Sequence, residues 1–213
     1  MREDIASLRQ EYTKASLDES SALKNPFDQF EKWFNEAKNS TIPEPNAMVL
    51  CTVHSSGQPS SRTVLLKDLS VEGFTFYTNY NSRKGKEVAK NNAVSLIFPW
   101  LELERQIIVQ GKVQKISRLA SKEYFQSRPK DSQIGAHVSR QSEQISSRSV
   151  LESKLNLLKE KYKDRQVPLP DDWGGYQVTP HLIEFWQGRP NRLHDRIIYE
   201  RTADFWYIKR LSP

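Results

Sequence analysis

An antiparallel β-barrel carrying peripheral helices is the fold class that this sequence predicts, and three observations predict it. Short runs rich in Val, Ile, Thr, Tyr and Phe follow one another closely, each bounded by Gly, Pro, Asn or Ser. Helical periodicity is confined to inserted segments and never alternates with strands in a βαβ rhythm. Neither GxGxxG nor GxxxxGK[ST] occurs, so nothing points to a parallel dinucleotide-binding sheet.

Residues 1–20 are polar without a clear apolar face and read as a mobile arm ahead of a single domain spanning 21–213. NPFDQFEKWFNEAKNS then predicts a helix. Asn25 can cap it, Pro26 suits the first helical position and Asp28 favours the N-terminal dipole. Phe27, Phe30, Phe34 and Ala37 share one face, and IPEPN ends the helix. AMVLCTV, SRTVLLKDL and GFTFYTNY read as strands, with HSSGQP as a turn and Cys51 in the core. SRKGKEVAKNN is a short basic helix or turn for which Ser82 is a cap. VSLIFPW and RQIIVQGKVQKI restore strand character, Gly111 marking a bulge or tight bend. SRLASKEYFQSRP predicts a helix stopped by Pro129. SVLESKLNLLKEKYKD predicts another, with Leu151, Leu155, Leu158 and Tyr162 at helical spacing. VPLPDDWGG reads as a linker, and QVTPHLIEFWQG, LHDRIIYER and DFWYIKRLSP as closing strands. There is no internal repeat.

A chain of 213 residues with 37% hydrophobic and 10% aromatic residues can bury a sizeable core and is not disordered in composition. The net charge of +6 comes from 32 basic and 26 acidic residues spread along the chain. That spread fits small phosphorylated ligands better than a polybasic tail for nucleic acid or a membrane surface. A basic nucleic-acid-binding module is the weaker alternative, since no recognised module is spelled out. The single cysteine excludes an internal disulfide framework, and histidines 54, 137, 181 and 194 lack metal-ligand spacing, so no metal is expected. Without a signal peptide or a membrane-length apolar run, the expectation is a soluble, cytoplasmic protein.

Several places could carry chemistry. In EFWQGRPNRLHDR, Arg192, His194 and Arg196 alternate; in a strand they share one face, with Leu193 and Ile197 on the other. Alone, that pattern favours a solvated edge strand. In SRTVLLK, Arg62 and Lys67 are five apart and face opposite sides of a strand. YTNYNSRKGK delivers Tyr77 and Thr78 at a strand end, then Arg83 and Lys84 beside a helix start. In EYFQSRPKDSQ, Tyr124 and Arg128 share a helical face, and Ser132 follows Pro129 in a new turn. Gln106, Gln141 and Ser142 are neutral hydrogen-bonding residues, and Trp186 taken alone suits core packing.

RTVLLK, FYTNYNSRKGKE, RQIIVQGKV, YFQSRPKDSQIGAHVSRQS, VPLPDDWGGY and EFWQG…RLHDR stand in the order and spacing of the pyridoxine (pyridoxamine) 5′-phosphate oxidase family, which the chain resembles from LRQEYTK to RLSP. The resemblance implies a Greek-key-like FMN-binding split β-barrel, a homodimer with FMN at the subunit interface. It implies FMN contacts from Arg62, Thr63, Val64, Leu65, Leu66, Lys67, Tyr77, Thr78, Arg83, Lys84, Gln106, Gln141, Ser142, Trp186 and Arg196. It places Lys67, Tyr124, Arg128 and Ser132 around the substrate phosphate, and Arg192, Leu193 and His194 at the substrate ring, with Arg192 and His194 as catalytic residues. Arg9, Gln10, Glu11 and Tyr12 resemble the segment that closes over substrate, although Gln10 stands where a basic residue is expected. The implied reaction oxidises the 4′ carbon of pyridoxine or pyridoxamine 5′-phosphate to pyridoxal 5′-phosphate, reducing dioxygen to hydrogen peroxide. A split-barrel flavin reductase for another small molecule is the alternative. Either Arg196 or Arg62 could favour an anionic reduced flavin, and His194 either positions substrate or acts as base.

Overall fold

The structure is a computed structural model, which describes residues 5–203 and 205–213. The chain forms two compact units. One comprises the described residues up to Val49 together with Ser95–Gly111 and Pro180–Pro213; the other comprises Leu50–Val94 and Lys112–Thr179. In chain order the elements are α1 (Pro26–Lys38), β1 (Ala47–Val53), β2 (Pro59–Leu65), β3 (Asp68–Ser70), β4 (Gly73–Asn79), α2 (Arg83–Lys90), β5 (Ala93–Trp100) and β6 (Arg105–Lys115). Then follow α3 (Arg118–Ser127), α4 (Lys130–Val138), α5 (Arg148–Lys161), β7 (Trp173–Gln187), β8 (Asp195–Arg201) and β9 (Trp206–Leu211). The sheet order is β2-β1-β5-β6-β7-β4-β3, with β8 on β7 and β9 on β8. The mainly β architecture with inserted helices is as expected.

In the first unit, α1 forms as its caps predict: the Asn25 side chain accepts from the Phe27 N–H at 2.9 Å and Pro26 opens the helix. Phe27, Phe30 and Ala37 are buried, and Trp33 joins them. Phe30 meets Phe98 edge-on at 5.0 Å and Trp33 meets Phe185 at 5.3 Å, so this core is held largely by aromatic packing. The C-terminal strands pair antiparallel, with Trp186 opposite Arg196 and Ile198 opposite Lys209.

The second unit departs from expectation at three places. SRTVLLKDL is not one strand. It breaks after Leu65, where Leu66 turns into the core and the Lys67 N–H donates to the Thr75 carbonyl at 2.9 Å. VPLPDDWGG is not a free linker. Val167 and Trp173 are buried with Phe125, Ile134 and Tyr162, and Trp173–Gly175 already belongs to β7. Arg118 donates to the carbonyls of Trp173 at 2.7 Å and Pro170 at 2.6 Å, fixing the segment's backbone. Cys51 is only half-buried. On β1 the period of two sends Met48, Leu50 and Thr52 inward and Cys51 to the other face, near Ser61. As expected, α2 is capped by Ser82, and Leu155 and Leu158 of α5 pack with its C-cap Tyr162, whereas Leu151 is not in that cluster; β6 runs uninterrupted through Gly111, where a bulge or tight bend was expected.

The β3–β4 hairpin turns on Gly73, whose φ of +148° disfavours any side chain; a Cβ there would lie 2.0 Å from the Val178 carbonyl oxygen. Gly73→Ala is therefore expected to cost about 3 kcal/mol, lowering the melting temperature by roughly 6–12 °C, as differential scanning calorimetry would show.

Candidate active site

The terminal motif is built differently from the strand that its alternation suggests. β8 begins only at Asp195, and Pro190–Arg192 forms a 3-10 turn in which Asn191 and Arg192 have φ of 56° and 62°. Arg192, His194 and Arg196 therefore do not share one strand face. Two consecutive non-glycine residues in the left-handed region each cost on the order of 1–3 kcal/mol, a strain typical of residues held for function. The turn lifts Arg192 away from β8. His194 instead packs on Trp186, with ring centroids 4.7 Å apart, and lies 5.7 Å from Tyr12. Tyr12 meets Trp186 edge-on at 5.8 Å. Its ring lies so close over Gly188 that a Cβ there would sit 2.7 Å from it. Arg9, Gln10, Glu11, Tyr12, Trp186, Arg192 and His194 thus line one cleft of about 710 Å³.

The His194 Nδ1 accepts the Arg189 backbone N–H at 3.1 Å, which places the proton of the neutral ring on Nε2. Asp195 does not serve His194. It accepts from the Leu17 N–H at 3.0 Å and from Arg210 at 2.9 Å. Arg196 is chelated by Glu184 at 2.7 and 3.0 Å, which raises its pKa, and donates to the Ser212 carbonyl. Sequence reasoning missed Glu184; its signal was a lone carboxylate inside an apolar strand. Leu193 is exposed and does not line the cleft; Gln106 lies half-buried on β6.

The second unit gathers the other predicted residues. A cleft of about 660 Å³ is lined by Thr63, Val64, Leu65, Lys67, Tyr77, Thr78, Lys84, Tyr124, Arg128, Ser132 and Gln141, with Trp173 added. Tyr77 stacks on Tyr124 at 3.8 Å and on Trp173 at 5.5 Å, forming an aromatic wall. Burial, followed by Tyr124 and Asp68, pushes the Tyr77 pKa up to about 12, so its phenol remains a donor. The Arg128 guanidinium lies 4.8 Å from the Trp173 ring centroid. Burial lowers its pKa against the opposing influence of Tyr124, and its Nη1 is buried without a hydrogen-bond partner. A buried guanidinium nitrogen without a hydrogen-bond partner is costly and suited to an anion. α4 opens at this point with Pro129 as N-cap and no capping side chain; the Ser132 N–H donates to the Pro129 carbonyl at 2.9 Å, and Ser132 lines the same cleft as Arg128.

Lys84 stands in the first turn of α2, whose cap Ser82 accepts from the Gly85 N–H at 3.3 Å. Its buried ammonium donates to Thr78 Oγ1 at 3.3 Å and Gln141 Oε1 at 3.0 Å, and makes no ion pair among the described residues. Burial and then Arg62 lower its pKa, with Glu87 opposing. Leu66 is buried, whereas Arg83 and Ser142 line an adjoining cleft of about 680 Å³. Arg62 lines neither cleft; Glu87 binds its guanidinium at 3.1 Å and that of Arg83 at 3.0 Å.

Burial would raise the Glu87 pKa, but hydrogen bonds from Thr52, Ser60, Arg83 and Arg62 outweigh it and bring it down to about 2. A depressed carboxylate stabilises the fold fully above its ordinary pKa near 4.5 and loses that contribution as pH falls to about 2. Urea melts of wild type are thus expected to weaken over this window, and those of Glu87→Gln to be flatter across it.

Antiparallel sheet, inserted helices and three clefts bearing cationic side chains define a β protein equipped for an anionic small molecule. The family profile described as "Pyridoxamine 5′-phosphate oxidase" matches residues 34–162, and that described as "Pyridoxine 5′-phosphate oxidase C-terminal dimerisation region" matches residues 173–213. The chain belongs to the pyridoxine/pyridoxamine 5′-phosphate oxidase family. It is 54% identical over 210 residues to pyridoxine/pyridoxamine 5′-phosphate oxidase 2 of Hydrogenovibrio crunogenus, covering 99% of each chain. It is 50% identical to the pyridoxine/pyridoxamine 5′-phosphate oxidase of Cyanothece sp., covering 98% of each. Among solved structures, PhzG from Burkholderia lata, in complex with tetrahydrophenazine-1-carboxylic acid, superposes with a TM-score of 0.86 at 27% identity over 91% of this chain and 95% of that one. The split-barrel class expected from the sequence is the fold class of these neighbours. Among the described residues no helix is long and apolar enough to cross a membrane.

Proposed function

We propose that the chain is an FMN-dependent oxidase that converts pyridoxine or pyridoxamine 5′-phosphate to pyridoxal 5′-phosphate, with dioxygen as acceptor and hydrogen peroxide as product. It works as a homodimer with FMN at the subunit interface. The observation that carries this reading is the Arg128 Nη1, buried and unpaired in a cleft shared with Lys67, Tyr124 and Ser132. Such a nitrogen calls for a compact anion, which a phosphate monoester supplies. The residues also fit FMN: Lys84 is a buried ammonium with only neutral acceptors in contact, at the start of a helix. Lys84, Thr78, Gln141, Ser142 and Arg83 would hold the cofactor's phosphate end, and residues 63–67 and Tyr77 its ring side. Gln106, Trp186 and Arg196 complete the set.

FMN supplies two-electron acceptance from the substrate's 4′ carbon and re-oxidation by dioxygen. The chain's own residues bind, orient and shield. Lys67, Tyr124, Arg128 and Ser132 hold the substrate phosphate and so fix the 4′ carbon. Tyr12 and its neighbours line the same cleft as Arg192 and His194 and would close over bound substrate. With Nδ1 engaged by the Arg189 N–H, the neutral His194 offers an Nε2–H donor rather than a free lone pair. His194 therefore orients substrate and is not the principal base. His194→Asn is expected to raise the substrate Kd about tenfold and slow flavin reduction less than tenfold in stopped-flow measurements. A loss of several orders of magnitude in rate with affinity intact would make it the base.

The reading is tested by mixing FMN-loaded protein with pyridoxine 5′-phosphate without oxygen. Flavin bleaching in step with one equivalent of pyridoxal 5′-phosphate is expected. Bound FMN that is bleached by another reductant but not by this substrate would favour a split-barrel reductase.

A further inference from the structure

Glu87 is 3% exposed, and no substrate or cofactor role has been assigned to it above. Its Oε2 accepts from Thr52 Oγ1 at 2.5 Å, Ser60 Oγ at 2.7 Å and Arg62 at 3.1 Å, while Oε1 accepts from Arg83 at 3.0 Å. One carboxylate on α2 thus ties that helix to Thr52 on β1 and to Ser60 and Arg62 on β2. The same helix carries Arg83 and Lys84 in its first turn, and β2 leads into Lys67. Fixing α2 against β2 therefore fixes the spacing between the two stretches that line the cation-rich cleft. Charge points the same way. Glu87 binds Arg62 and Arg83 and so offsets part of the positive charge that Arg83, in one of the adjoining clefts, and Lys84, in the other, present to an anion. A purely structural anchor between helix and hairpin needs no carboxylate shared by two arginines; neutral hydrogen bonds or apolar packing achieve that at a smaller desolvation cost.

We infer that Glu87 is a positioning residue for the cofactor's phosphate: it orients Arg62 and Arg83 and sets the charge of the subsite that begins at α2. This rests on the reading of that cleft as an FMN site. It predicts that Glu87 governs discrimination between FMN and riboflavin, which share the ring system and differ by the phosphate.

The full-length apoprotein, wild type and Glu87→Gln, is titrated with FMN and with riboflavin by flavin fluorescence. Glu87→Gln is expected to weaken FMN about tenfold and riboflavin less than twofold. Ser60→Ala, which removes one donor to Glu87 and one acceptor of Arg62 but leaves the ion pairs, is expected to weaken FMN about threefold with the same selectivity, and stands in if Glu87→Gln does not fold. Equal losses for both flavins would make Glu87 a structural anchor only. Unchanged or tighter FMN binding would show that it neither orients nor tunes the subsite. Each of these overturns the inference while FMN binding by wild type stands; a wild type that does not prefer FMN to riboflavin would instead remove the reading beneath it.

Discussion

Arg128→Ala is expected to raise the KM for pyridoxine 5′-phosphate about 100-fold while leaving FMN affinity within about twofold. Hydrogen bonds to charged groups contribute about 1.5–3 kcal/mol each, and the tenfold-per-1.4 kcal/mol relation turns a loss near 3 kcal/mol into that factor. The effect is expected for substrate alone because Arg128 sits where α3 ends and α4 begins, stacked over Trp173, whereas the cofactor is assigned in the proposal to Lys84 and Thr78, which bond each other. The unpaired Nη1 gives a second consequence. With no hydrogen bond at Nη1 to lose, the substitution gives up chiefly the stacking on Trp173, about 0.5–1 kcal/mol, so the variant should melt near wild type. Steady-state kinetics with FMN titrations decide the matter. Equal losses of substrate and cofactor affinity would refute a separate substrate-phosphate cradle.

Lys84→Met is expected to weaken FMN about 100-fold and to leave substrate KM little changed once FMN is saturating. The ammonium is buried, its hydrogen-bond acceptors are neutral, and burial and Arg62 press its pKa down. It is therefore a destabilised charge awaiting a counter-ion, and an apolar side chain of similar length should not lower the apoprotein's melting temperature. Equilibrium dialysis with FMN and calorimetry of the apoprotein test the two halves. A large stability loss with FMN affinity retained would make Lys84 a structural residue.

What the sequence made legible divides by the range of the interactions involved. Asn25-Pro26 and Ser82 are local helix-start signals, and α1 and α2 begin where these residues place them. The region of Tyr124, Arg128 and Ser132 was readable because a helix, a proline and a new turn bring them together within nine residues. The terminal motif was misread in geometry, since a period-two pattern cannot reveal that Asn191 and Arg192 adopt positive φ and delay β8 to Asp195. The linker reading of VPLPDDWGG failed because its Pro-rich composition mimics a loop, while its apolar residues Val167, Leu169 and Trp173 find partners such as Phe125 and Ile134 far away in sequence. Glu87 and Glu184 were missed although each left a trace, Glu87 four residues after Arg83 on one helix and Glu184 as a lone carboxylate in an apolar strand. Their functional neighbours are arginines, and only the folded chain shows that Arg62, Arg83 and Arg196 are held by buried carboxylates.

The most direct test of the central claim is a single turnover in air. FMN-loaded protein is mixed with pyridoxine 5′-phosphate or with unphosphorylated pyridoxine, and aldehyde and hydrogen peroxide are followed together. The account predicts that both products appear in step and in equal amounts with the phosphorylated substrate, and not with the free alcohol on the same timescale. Equal turnover of the two substrates, or bound FMN that yields neither aldehyde nor peroxide, would contradict it.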